Sequence, residues 1–136
     1  MPRYDITYQL AKNWILTNIS NSDGGFGESN NSYNTGKYQS APSNAFHTSL
    51  AIMILCQLDC ASYSTTNCAV QWLLKHQQED GLWNDDIHNA PGFPKVFYLK
   101  YHGYAKYFPI WALAKYYNSI KSSGIINYIG TSQPLR

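Results

Sequence analysis

Apolar side chains along this chain recur at helical spacing, and the strict alternation of a half-buried strand is absent throughout. Ile6, Leu10, Trp14 and Ile15 stand at i, i+4, i+8 and i+9 and predict an amphipathic helix from Tyr4 to about Ile19 with that face in the core. Ser20-Asn-Ser-Asp-Gly-Gly25 stops it, and the Asn-, Ser- and Gly-rich residues 20–45 read as a long ordered loop. A second helix begins near Ser43 or Asn44, either able to cap it, and runs through Leu58. Ala51, Met53, Ile54 and Leu55 make it apolar nearly all round, so deep burial is expected. Ser64-Thr65-Thr66 introduces a third helix, Asn67 to Gln78, which Asp80-Gly81 ends. Residues 83–91 read as loop, and the tail after Gly124 as peripheral.

The segment from Gly92 to Tyr117 is the densest in rings, holding ten of the 21 aromatic residues. Phe97, Tyr101, Tyr104, Phe108 and Trp111 step by four, three, four and three, which on a helix aligns all five on one face. Pro109 predicts a kink or two helical pieces there. Spacing of this kind usually signals core packing, yet a wall of π-faces also attracts cations.

Composition narrows the class. With 136 residues, 44% hydrophobic and only 13% charged, the chain reads as one globular unit over 1–136. Its net charge of +2 is uneven: all eight acids lie at or before Asp86, and six of the ten Lys and Arg follow it. Lys95, Lys100, Lys106, Lys115 and Lys121 are spaced singly, which fits a solvated face rather than a nucleic-acid patch. No signal peptide opens the sequence, and the longest apolar run, Leu50 to Cys56, is far short of the ~20 residues of a bilayer span, so a cytoplasmic location is expected. Cys56, Cys60 and Cys68 lack the tight pairs of a zinc site and read as small buried side chains, so neither metal nor cofactor is expected. Asp85-Asp86 reads as part of a solvated loop, and Glu79-Asp80 as a helix-end turn.

Two stretches repeat. Ala11-x-x-Trp14-Ile15 and Ala69-x-x-Trp72-Leu73 lie 58 residues apart, and Gly24-x-Phe26 and Gly81-x-Trp83 lie 57 apart. Each copy is a helix followed by a turn that sets a large ring near the helix end, the pattern of paired-helix units stacked into a solenoid or toroid.

The second copy, Ala69, Trp72, Leu73, Gln77, Gly81 and Trp83, reads A-x-x-W-L-x-x-x-Q-x-x-x-G-x-W. It resembles the QW repeat of the squalene-hopene and oxidosqualene cyclases. Around it, Asp23-Gly24-Gly25-Phe26-Gly27-Glu28 with Ser32-Tyr33 resembles that family's DGGWGE…SY segment, and His47-Thr48-Ser49-Leu50-Ala51 resembles its next buried helix. Gly92-Phe93-Pro94 and Phe97-Tyr98-Leu99-x-Tyr101-x-x-Tyr104-x-x-x-Phe108-Pro109 resemble its C-terminal block, so the likeness spans roughly residues 10–118.

The resemblance implies an all-α fold, part of an α/α-barrel (toroid) of helix-hairpin repeats at the C-terminal end of a longer isomerase. In such enzymes an Asp-x-Asp-Asp acid protonates a linear polyprene such as squalene, and aromatic faces stabilise the carbocations that follow without quenching them. By that resemblance Phe26, Tyr33, Phe93, Phe97, Tyr101 and Tyr104 border the substrate cavity, and Trp14, Trp72, Gln77, Gly81 and Trp83 are structural residues of the repeats. The likeness also implies peripheral or monotopic membrane association through the full-length protein.

Several positions depart from the family pattern. No Asp-x-Asp-Asp is present, Phe26 replaces Trp, Ile19 or Ser20 stands in place of Gln, and Lys95-Val96 replaces a small and acidic pair. A lysine aimed into a carbocation cavity would oppose the chemistry, so Lys95 is expected to face away. The expectation is a C-terminal piece of a cyclase, from a split or truncated gene, that needs a companion chain to supply the acid. The competing expectations are a small helical lipid-binding module or a helical-repeat protein-interaction module. A protein-prenyltransferase-like toroid would need a zinc set that the spacing does not offer.

Overall fold

The computed structural model describes residues 5–88 and 95–124. Five helices follow in order: α1 (Ile6–Asn18), α2 (Asn31–Thr35), α3 (Ala45–Gln57), α4 (Ser64–Lys75) and α5 (Tyr104–Ser122). No strand forms among the described residues; two isolated bridges, Ser20 with Phe26 and Glu28 with Ser40, hold the loop between α1 and α3. The all-α expectation holds.

α3 is the hub. It packs on α5, on α4 and more lightly on α1, and Ile52 and Leu55 at its centre are fully buried. A helix apolar nearly all round can bury only if its polar backbone ends are satisfied. Its first turn is capped twice. Asn44 Oδ1 accepts from the His47 N–H at 2.9 Å, and the Asp85 carboxylate accepts from Ala45 N at 2.8 Å and Phe46 N at 2.9 Å. Anionic acceptors there also meet the positive end of the helix dipole. Among the described residues no buried side-chain nitrogen or oxygen lacks a partner.

Several expectations change. Asp85 is not solvated: it is 9% exposed and caps α3, while Asp86 stays at the surface and pairs with Lys100 at 3.3 Å. α1 buries Tyr8 and Ile15; of the expected core face Ile15 is buried, whereas Ile6, Leu10 and Trp14 are exposed. Among the helices α1 packs chiefly on α3, and far more lightly than α4 and α5 do, so much of its surface stays open. α4 begins three residues before the expected Asn67 and ends at Lys75, because His76 closes it with N–H bonds to the Trp72 and Leu73 carbonyls. Cys68 is exposed on α4, unlike Cys56 and Cys60, whose thiols burial pushes up.

Among the described residues the aromatic segment is helical only from Tyr104. Phe97 and Tyr101 precede the helix, so the five rings are not one helical stripe. Gly103 marks the start, and α5 then runs unbroken through Pro109. Pro109 forgoes the bond that an N–H there would make to the Ala105 carbonyl, and the helix continues past it. Pro109 and Ala112 bury against α3, and the expected break is not seen.

Candidate functional site

The two tryptophans of the second repeat copy act as hydrogen-bonded struts. Trp72, on α4, donates from Nε1 to Asp23 Oδ2 at 2.9 Å and stacks on His76 with centroids 4.0 Å apart. Trp83 is 3% exposed and donates from Nε1 to the Leu73 carbonyl at 2.8 Å, adding a second donor to that acceptor in the last turn of α4. Gln77 donates to the Gly81 carbonyl at 2.8 Å and closes the turn between them. Gly81 adopts φ +82°, and its counterpart Gly24 adopts φ +86°, conformations that favour glycine.

Asp23 ties the first copy's turn to α4. Its Oδ1 accepts from Gly25 N–H at 3.0 Å and from the Ser43 hydroxyl at 2.7 Å, and Oδ2 accepts from Trp72. Burial alone would raise its pKa, but the hydrogen bonds from Ser43, Gly25 and Trp72 bring it below the ordinary carboxylate value. Phe26 is 2% exposed in the core, its N–H donating to the Thr48 hydroxyl and its carbonyl accepting from it. A side chain on Gly27 would run into the Pro42 carbonyl, so this loop closes only with glycine there.

On the other side of α3 the rings form a continuous slab. Tyr101 stacks on Tyr104 at 5.0 Å, Tyr104 stacks on Phe46 at 4.9 Å, and Phe108 meets both Phe46 and Tyr104 edge-on at 5.2 and 5.1 Å. Trp111 extends the slab from Phe108 at 5.9 Å. Centroid spacings of this order add ~0.5–1.5 kcal/mol per pair beyond area burial. Tyr101 and Trp111 keep much of their surface open, and Tyr101 also borders a hollow of about 240 Å³ with Trp83, Asp85 and Lys100. The segment before the slab is tethered by Tyr98, whose hydroxyl accepts from Lys95 N at 3.3 Å and reaches Asn34 Oδ1 at 3.3 Å. The Lys95 side chain is exposed.

Of the residues named as cavity-bordering, Tyr101 and Tyr104 are brought together and Phe97 lies half-exposed just before them. Tyr33 is half-exposed on α2, and Phe26 makes no ring contact with the slab among the described residues. Phe93 lies outside the described residues. Trp14 packs edge-on against Tyr38 at 5.6 Å.

Sequence reasoning missed Phe46 and Asp85. Phe46 sits at the centre of the slab but comes from α3, so no spacing within the aromatic segment could reveal it. The signal for Asp85 was its placement two residues after the strut Trp83, which delivers it to the start of α3.

The architecture defines a class: helix–turn units in which a glycine turn after the helix buries a large aromatic ring, with a ring slab where α3 and α5 meet. The profile of the squalene-hopene cyclase C-terminal domain matches residues 3–118. The chain is 40% identical over 132 residues to a squalene–hopene cyclase of Zymomonas mobilis, a match covering 96% of this chain and 20% of that protein. It is 43% identical over 116 residues to a squalene–hopene cyclase of Bradyrhizobium diazoefficiens, covering 84% and 17%. A dammaradiene synthase of Dryopteris crassirhizoma is 37% identical over 109 residues, covering 76% and 16%. The chain belongs to the squalene-hopene cyclase C-terminal domain family. It spans about a fifth of the length of the curated relatives it matches.

Proposed function

We propose that this chain serves as the C-terminal part of a squalene-hopene-cyclase-like enzyme, with the slab of Tyr101, Tyr104, Phe46, Phe108 and Trp111 as part of the wall of a polyprene cavity. The observation that carries this reading is the continuity of the slab: each ring contacts the next, and Tyr101 and Trp111 remain partly exposed at its two ends. A π-face attracts a carbocation without attacking it, and a fixed array lowers the cost of ordering the substrate as rings close. Phe93 and Phe97 are proposed to join this wall and Tyr33 to border it, and Phe26, buried beside Thr48, to support it from within the core. Trp14, Trp72, Gln77, Gly81 and Trp83 act as the structural residues that hold the repeats together.

The initiating acid comes from polypeptide outside these 136 residues, because no Asp-x-Asp-Asp occurs in them. The chain therefore cyclises nothing unaided, and membrane association belongs to the assembled enzyme in the cytoplasm. Among the described residues no helix is long and apolar enough to cross a bilayer.

A chimera tests the assignment. Residues 3–118 replace the matching C-terminal fifth of the Zymomonas mobilis cyclase, and squalene cyclisation is assayed. The chimera is expected to cyclise squalene, and Tyr104→Ala within it to lower turnover or release incompletely cyclised products. A folded chimera whose products are unchanged by Tyr104→Ala would remove the slab from the cavity.

A further inference from the structure

A different hollow opens along the seam between α1 and α3. It holds about 180 Å³ and is walled by Trp14, Ile15, Phe26, Leu50 and Ile54, with His47, Glu28 and Tyr38 among its polar lining. The tautomer of His47 follows from its partners. The backbone N–H of Glu28 can only donate, and it reaches Nδ1 at 3.3 Å. The Asn44 amide nitrogen meets the same atom at 2.9 Å, its orientation fixed because Oδ1 accepts from the His47 N–H. Nδ1 is therefore the acceptor and the ring proton sits on Nε2. Burial favours this uncharged form, lowering the His47 pKa against the pull of Glu28 and Asp85.

His47, with its proton on Nε2, and Glu28 both line the hollow, and the rest of the wall is chiefly hydrocarbon. A hydroxyl satisfies both groups, accepting from the imidazole and donating to the carboxylate. An anion would be repelled by Glu28, and an unsubstituted hydrocarbon would leave the donor unpaired. At roughly 30 Å³ per heavy atom, the share of a water in the liquid, the hollow takes about six heavy atoms. Ile6 and Leu10, exposed on the same face of α1 as Trp14, continue an apolar track away from it.

We propose that this seam binds the hydroxyl-bearing end of a neutral aliphatic alcohol, with the oxygen between His47 Nε2 and Glu28 and the first carbons against Phe26, Leu50 and Ile54. The proposal does not rest on the cyclase reading and uses none of the slab residues.

Titration of the chain with 1-pentanol, followed by ¹⁵N shifts of the His47 ring and the Trp14 indole, tests it. Saturable shifts at both are expected, with 1-dodecanol binding more tightly than 1-pentanol if the track is used, and pentanoate giving none. His47→Leu is expected to weaken pentanol binding about tenfold, the worth of one hydrogen bond, and His47→Gln, which can still accept from Glu28 N–H and donate outward, to recover most of it. Ile54→Ser, at a half-exposed wall position, should weaken binding while leaving the fold intact, and decides the matter if His47→Leu unfolds. Equal binding of pentanoate, or no saturable shift, would overturn the proposal. So would a dimer in sedimentation that buries this seam against a second copy.

Discussion

The two repeat copies share a backbone plan and differ in how they are fastened. Gly24 and Gly81 take the same left-handed turn, and each delivers a ring to near-complete burial, Phe26 in the first copy and Trp83 in the second. Trp83 also donates to the Leu73 carbonyl, so it fastens a helix end as well as filling space. Phe26 has no such donor, and its place is held through its backbone, clasped in both directions by Thr48. Where the second copy has Gln77 closing its turn, the first has Ile19 and Ser20, and the turn is fastened from outside by Asp23 to Ser43 and Trp72. The same turn can thus be secured within its own unit or by borrowing a neighbour.

Deleting the rings should be the harshest break. Trp83→Ala and Phe26→Ala are each expected to cost about 3–5 kcal/mol in denaturant unfolding, as buried aromatic truncations do. The contrast appears on conservative change, because Trp83→Phe should lose about 1 kcal/mol of hydrogen bonding that Phe26 never had. Asp85→Ala comes next, since it strips two charge-assisted bonds from the start of α3; a loss of about 2–3 kcal/mol is expected. It should also disturb the Phe46–Tyr104 stack, visible in near-ultraviolet circular dichroism.

The mildest test is acidification. Asp23 has a lower pKa folded than unfolded, so its contribution is present above the unfolded value of about 3.9 and is lost as pH falls through the folded one. The stability gap between the natural chain and Asp23→Asn should hold at neutral pH and narrow in acid below about pH 4. A gap that widens there would contradict the fastening role.

Much of the helix plan was legible because periodicity and caps are local. Asn44 announces the start of α3, and the Asp-Gly pairs mark both turns. What was not legible depends on partners distant in sequence. Ile6 and Leu10 look like a core stripe, but no described element covers them. Asp85 looks solvated beside Asp86 until the turn after Trp83 brings it 40 residues back to Ala45. Tyr101 and Tyr104 showed themselves by spacing, yet their contact is made as Tyr101 stacks from outside the helix, and Phe46 completes it from α3.

The central claim is that the slab favours positive charge on hydrocarbon. Its most direct test is the affinity of this chain for a squalene analogue bearing a tertiary amine, protonated at neutral pH, against squalene itself. The account predicts tighter binding of the cation by about 0.5–2 kcal/mol, with the preference erased in Tyr101→Leu/Tyr104→Leu. Equal affinity for the two ligands, or a preference that survives the double substitution, would contradict it.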